Sequence, residues 1–204
     1  MYPTKIPTFL QRICFNYTFR MPTSDKVIYL TFDDGPIPTV TPWVLEQLAA
    51  YSAKATFFMI GENVHKNPTV FQQVIKAGHA IGNHTYNHLN GWQTKNKTYF
   101  QNVEECSKVI DSSLFRPPYG KIKPSQAKHL RQRYNIVFWD ILSGDFDANI
   151  TSEQCFNNVL RQANNGSIIV FHDSLKAAQH LRYVLPKVLE FYHSKGFEFR
   201  AIER

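Results

Sequence analysis

Seven short runs rich in β-branched and aromatic residues alternate with stretches of helical spacing from residue 27 onward. This alternation narrows the fold more than any other property of the chain. The runs lie at 27–32, 55–60, 79–82, 114–116, 136–140, 167–172 and 197–202, and the helical stretches at 39–51, 67–78, 97–110, 124–134 and 175–194, with one more opening at Thr151 and closing before Gly166. Asn67 followed by Pro68 reads as a cap and first helical residue, and Gly78 as the stop. Strand, helix, strand in this rhythm predicts parallel strands joined by crossover helices. The run Ile168-Ile169-Val170-Phe171 is apolar on both faces, as a strand covered on two sides must be. An open doubly wound sheet and a closed barrel satisfy the pattern equally.

The 204 residues suffice for one domain, read here as 27–204, preceded by an arm at 1–26. The arm carries Lys5, Arg12 and Arg20 with no acid before Asp25, and Pro3, Pro7, Gln11, Arg12 and Asn16 interrupt every run long enough for a secretory leader. We expect it to pack on the domain and the protein to be cytoplasmic and monomeric; non-standard export or attachment to a membrane surface is the alternative. Apolar runs reach four residues, against about 18 for a membrane span. Cys14, Cys106 and Cys155 are an odd, scattered set that makes no disulfide scaffold and fits a reducing compartment. The net charge of +7 favours anionic surroundings. No zinc-finger spacing, RNA-binding signature or dense basic run accompanies it, so no nucleic-acid partner is expected.

Chemistry in parallel α/β folds gathers at the carboxyl ends of strands. There the first run delivers Asp33-Asp34-Gly35-Pro36, the third Asn83-His84, the fourth Arg116, the fifth Asp140 and Asp145, and the sixth His172-Asp173. If residues 84–88 turn helically, His84 and His88 share a face and can grip one metal ion, although H-x-x-x-H alone is a weak signal. Adjacent Asp33 and Asp34 repel each other unless a cation is near. One carboxylate with two imidazoles leaves a coordination position open for water, the arrangement of a catalytic site, and the second aspartate is then free to take the water's proton.

Four segments together resemble motifs of the polysaccharide deacetylases, the NodB-like enzymes of the fourth carbohydrate esterase family. They are Thr31-Phe32-Asp33-Asp34-Gly35-Pro36, His84-Thr85-Tyr86-Asn87-His88, Arg116-Pro117-Pro118-Tyr119-Gly120 and Val170-Phe171-His172, in the family's order. The resemblance implies a distorted (β/α) barrel of about seven parallel strands and hydrolysis of an N-acetyl, less favourably an O-acetyl, group on a sugar or polysaccharide. It implies Asp33 as general base, Arg116 as its partner and Asp34, His84 and His88 as ligands of one divalent metal, Zn²⁺ by first choice. It further implies the Tyr119 backbone N–H at the oxyanion, His172 as general acid and Val170 in the acetyl pocket.

The fourth motif departs from the family's D-x-x-D-W. In Trp139-Asp140-Ile141-Leu142-Ser143-Gly144-Asp145-Phe146, Asp145 is the best match for the partner of His172 and Asp140 the fallback, while Phe146 replaces tryptophan. Trp92, in a polar loop after the second motif, is read as stacking on sugar or anchoring its loop. Trp139 is read as packing on the barrel, and Asp173 as a helix cap in preference to a supporting partner behind the site residues. Two other readings stand beside the deacetylase. A non-haem iron oxygenase uses the same two-histidine, one-carboxylate set, usually on an all-β jelly roll. A catalytically silent relative would bind glycan without hydrolysing it.

Overall fold

The computed structural model describes residues 3–14 and 16–203; residues 1, 2 and 15 of the expected arm lie outside them. Among the described residues, eight strands form one parallel sheet. They are β1 (Val27–Asp33), β2 (Thr56–Met59), β3 (Ala80–Asn83), β4 (Leu114–Phe115), β5 (Asn135–Ile136), β6 (Ile141–Leu142), β7 (Ile168–His172) and β8 (Glu198–Phe199). Seven follow one path in the order β5-β4-β3-β2-β1-β7-β6, and β8 joins the start of β1. The helices are α1 (Thr8–Ile13), α2 (Thr41–Ala49), α3 (Gly61–Lys66), α4 (Pro68–Lys76), α5 (Asn96–Ser107), α6 (Pro124–Leu130), α7 (Ser152–Leu160) and α8 (Ala178–Ser194).

The period of two along a strand sorts the core into layers. From β1, β2 and β7, Ile28, Leu30, Phe32, Phe57, Met59, Ile169 and Phe171 join the cluster that α2, α4, α7 and α8 cover. Their neighbours Val27, Tyr29, Phe58 and Ile168 belong to a second cluster with Leu114 and Val137, inside the curl of the sheet. By the same alternation, Asp33 shares its face of β1 with Val27 and Tyr29, and His172 shares that of β7 with Ile168 and Val170. Asp33 and His172 are register partners across the β1–β7 pair. The central strand thus carries an acid to one end of an apolar interior, and its neighbour carries a histidine beside it.

The curl does not close by strand pairing: β5 and β6, adjacent in sequence, sit at opposite ends of the path. The 136–140 run is therefore not one strand. The carbonyls of Val137 and Phe138 accept from the Arg116 guanidinium at 3.2 and 2.9 Å, and Phe138 donates its N–H to Thr18, so these residues leave the ladder. The N-terminal segment occupies this seam. Lys5 bridges Ile141 antiparallel, Thr18 bridges Val137 parallel, and Arg20 bridges Ser167. Phe19 is buried, with its ring 5.3 Å from that of Phe138.

Two local expectations change. Asn67 does not cap α4 with its side chain; its amide donates to the carbonyls of Pro36 and Asn63. The short α3 was not foreseen, because a six-residue helix opening on glycine with no side-chain cap offers little sequence signal. The start of α7 matches its sequence: Thr151 and Gln154 form a reciprocal capping box. Among the described residues, no helix is long and apolar enough to cross a membrane.

Candidate active site

Asp33 is 4% exposed, and its Oδ1 accepts from Arg116 Nη1 at 2.7 Å. Arg116 follows β4 directly and is wholly buried. Its Nη1 also donates to Thr31 Oγ1, its other nitrogens are held by the Val137 and Phe138 carbonyls, and its plane lies 4.1 Å from the Phe58 ring centroid. A guanidinium fixed on every side can orient a carboxylate without competing for the space in front of it.

Beyond Asp33 the chain turns through Asp34 at φ 83°, a left-handed conformation unusual for a residue other than glycine. Asp173 holds this turn: its Oδ1 accepts from the Gly35 N–H at 3.0 Å and its Oδ2 from Thr41 Oγ1 at 2.5 Å. It supports the aspartate loop and caps no helix, since α8 begins only at Ala178. Burial raises the Asp173 pKa to about 7 against the hydrogen bond from Thr41.

His84 and His88 meet without the helical turn expected of them. Thr85 and His88 have φ of 62° and 57°, and side chains rather than helical carbonyls pair the loop amides. Asn83 Oδ1 takes the Thr85 N–H, Asn102 Oδ1 those of Tyr86 and Asn87, and Thr85 Oγ1 that of Leu89. The ring centroids of His84 and His88 end 5.1 Å apart.

Asp34, His84 and His88 each offer one ligand atom, all within 4.8 Å of one another. His84 Nδ1 lies 2.7 Å from the Arg116 carbonyl, which requires the proton on Nδ1 and turns the lone pair of Nε2 toward Asp34. Burial lowers the His84 pKa to about 4, so its ring is neutral near pH 7, the form that binds metal. Asp34 Oδ1 lies 3.7 Å from His84 Nε2 and 3.2 Å from His88 Nε2; it is buried and lacks a hydrogen-bond donor among the described residues. Burial works against the charge on Asp34, but His88 beside it and the positive charge of His172 outweigh it and hold its pKa below the usual carboxylate range. Asp34 Oδ1, which accepts no hydrogen bond among the described residues, and the imidazole nitrogens converge on one point, where their lone pairs repel one another unless a cation joins them. The residues present therefore fit a single metal ion.

His172 faces this group from β7. Asp145 grips it twice, accepting its backbone N–H on Oδ2 and meeting ring Nδ1 with Oδ1, both at 2.7 Å. Burial alone would lower the His172 pKa; Asp145, then Asp34 and Asp33, reverse this and lift it to about 9. The fallback partner Asp140 is not at this end of the sheet. It binds Arg20, Ser167 and Gln11 beside the start of β7, because Asp140 precedes β6 whereas Asp145 follows it.

A cleft of about 660 Å³ joins these groups. Asp33, Asp34, His84, His88, Tyr119, Val170 and His172 line it. Tyr119, at φ 60° in a 3₁₀ turn (Pro118–Gly120), sets its exposed ring at 55° to that of His88, with the centroids 4.6 Å apart. Trp92 does not line the cleft: its Nε1 donates to the Ile122 carbonyl at 3.1 Å, which anchors its loop. Trp139 packs against the inner cluster, as expected, and lines the cleft as well; a Cβ on Gly120 would come within 2.7 Å of its ring. Phe146, the residue in place of the family's tryptophan, also lines the cleft, as do Pro3, Ile6, Leu142, Ser174 and Lys176, which were not singled out beforehand as its walls. Leu142 could have been found by its register with Val170, had the strand ends been known.

A family model described as polysaccharide deacetylase matches residues 20–135, more than half of the chain. The peptidoglycan-N-acetylglucosamine deacetylase of Bacillus cereus is 38% identical over 192 residues, which cover 91% of this chain and 90% of that protein. The chitooligosaccharide deacetylase of Azorhizobium caulinodans is 35% identical, covering 90% of this chain and 96% of that one. Among solved structures, a peptidoglycan N-acetylglucosamine deacetylase in complex with 4-naphthalen-1-yl-N-oxidanyl-benzamide matches with a TM-score of 0.88 at 31% identity, over 97% of this chain and 95% of that one. Neither the oxygenase nor the silent-binder reading finds support in these matches, and the parallel, helix-covered sheet is no jelly roll. The chain belongs to the polysaccharide deacetylase family.

Proposed function

We propose that this protein hydrolyses the N-acetyl group of N-acetylglucosamine units in a glycan, with a divalent metal held by Asp34, His84 and His88. One observation carries this reading. Asp33 and His172 flank the three-ligand cluster, and each is locked to a buried partner of opposite charge, Arg116 for the acid and Asp145 for the histidine. The names of the relatives support N-acetylglucosamine as the sugar.

A bound Zn²⁺, the first choice for this donor set, would lower the pKa of a coordinated water to about 7 and polarise the acetyl carbonyl. The remaining steps fall to the chain's own groups. Asp33 has Oδ1 occupied by Arg116, leaving Oδ2 to take the proton of the attacking water. The backbone N–H of Tyr119 donates to the oxyanion that develops on the carbonyl oxygen, and a donor of this kind contributes about 3–4 kcal/mol to lowering a barrier. His172, protonated at neutral pH, delivers its Nε2 proton to the departing amine as the C–N bond breaks. Asp145 keeps the other proton on Nδ1 and stabilises the cation. Val170, with Leu142 beside it, forms the floor on which the acetyl methyl rests.

The test is acetate release from N-acetylglucosamine oligomers and from O-acetyl esters, before and after chelation and metal add-back. Release from the amide that stops on chelation and returns with metal supports the reading. Release from the ester alone, or turnover indifferent to chelation, contradicts it.

A further inference from the structure

The cleft is not built by the sheet alone. Its lining includes Pro3 and Ile6, from a segment outside the alternating strands and helices. This segment is fastened as an edge strand on β6. The Ile6 N–H donates to the Asp140 carbonyl at 3.0 Å, and Thr4 accepts the Leu142 N–H at 2.8 Å. Side chains tie it further: Lys5 Nζ donates to the Gln162 carbonyl, Gln162 Nε2 donates to Thr4 Oγ1, and Gln11 Nε2 donates to Asp140 Oδ1. Pro3 and Ile6, with Leu142 and Phe146, give apolar wall to a cleft whose polar atoms come from Asp33, Asp34, His84, His88 and His172. Sugar rings offer C–H faces to such a surface, and apolar contact there strengthens binding in proportion to the area removed from water.

We propose that the N-terminal segment is part of the substrate site: Pro3 and Ile6 contact the bound acetylated sugar, and Ile6 sets how tightly it is held. The inference rests on the deacetylase reading and deepens it. Ile6 acts by shape and apolar contact and takes no part in proton transfer, so its substitution changes KM more than kcat.

The experiment compares Ile6→Ala and Ile6→Trp with the unaltered protein, using the N-acetylglucosamine trimer as probe, with Phe9→Ala as control. Phe9 is 62% exposed and lies outside the cleft lining. Acetate release by the unaltered protein is read first, because its absence would count against the deacetylase reading and not against the wall. Binding is read separately, from tryptophan fluorescence in an Asp33→Asn background, and so does not depend on turnover. The expected result is a KM about three- to tenfold higher for Ile6→Ala with kcat within about twofold. A loss of about tenfold or more in kcat/KM is expected for Ile6→Trp, which fills the cleft, with weaker trimer binding in both and unchanged metal affinity and melting temperature. Trimer affinity and kcat/KM within twofold of the unaltered protein in both Ile6 variants would overturn the proposal. So would an equal effect of Phe9→Ala, which would trace the change to the segment's general packing.

Discussion

Replacing Asp145 with asparagine should move the alkaline limit of activity. Asp145 holds His172 through two contacts of 2.7 Å and is itself fully buried. The His172 pKa stands at about 9 against an ordinary 6.5. That lift corresponds to about 3 kcal/mol in favour of the imidazolium at 1.36 kcal/mol per unit. Asparagine keeps the shape and removes the charge, so burial, which lowers the pKa, is no longer opposed by its main counterweight. A dication in the neighbouring cluster would offset the attraction of Asp34 and Asp33 in both proteins alike, which leaves the difference between them to Asp145. The variant's His172 should then titrate at or below its ordinary value. Near pH 8 the protonated fraction falls from about 90% to about 3%, so kcat/KM for acetate release should drop about 30-fold, and most of it should return near pH 6. The measurement is kcat/KM across pH 5–10 for both proteins, with folding checked by thermal melting. An alkaline limb with the same midpoint in both proteins would refute His172 as the acid that Asp145 charges.

Removing Arg116 as Arg116→Met should cost about 3–5 kcal/mol of stability, read in denaturant unfolding, because Asp33 would remain buried without its cation. Gly35→Ala should lower metal affinity and kcat together, because its Cβ would collide with the Asp173 carboxylate that anchors the aspartate loop; metal titration and acetate release read both. His88→Ala should weaken metal binding by about tenfold or more in calorimetry. By contrast, Thr151→Ala removes the α7 capping box and should lower stability by about 1 kcal/mol in thermal unfolding with KM unchanged, since α7 contributes nothing to the cleft lining.

The parallel, helix-covered sheet and its functional end were legible because both depend on local rules. Runs apolar on both faces, such as residues 168–171, mark strands covered on two sides, and strand ends mark where the acids and the histidine emerge. Four features were not legible. The 136–140 run looks like one strand until Arg116, from the neighbouring chain segment, claims two of its carbonyls. The spacing of His84 and His88 suggests a helix, but Asn83 and Asn102 satisfy the loop amides and hold a left-handed turn instead. The choice between Asp140 and Asp145 depended on which side of a two-residue strand each lies, finer than pattern reading resolves. The contact of the N-terminal segment with the cleft is tertiary throughout; nothing in Pro3 or Ile6 as residue types announces it.

Metal stoichiometry measured together with turnover in the Asp33→Asn protein tests the central claim most directly. After chelation, titration with Zn²⁺ should show one equivalent bound by both the unaltered protein and the variant, with acetate release restored only in the former. Activity in reloaded Asp33→Asn, or a stoichiometry other than one in the unaltered protein, would contradict the division of labour between Asp34, His84 and His88 as ligands and Asp33 as base.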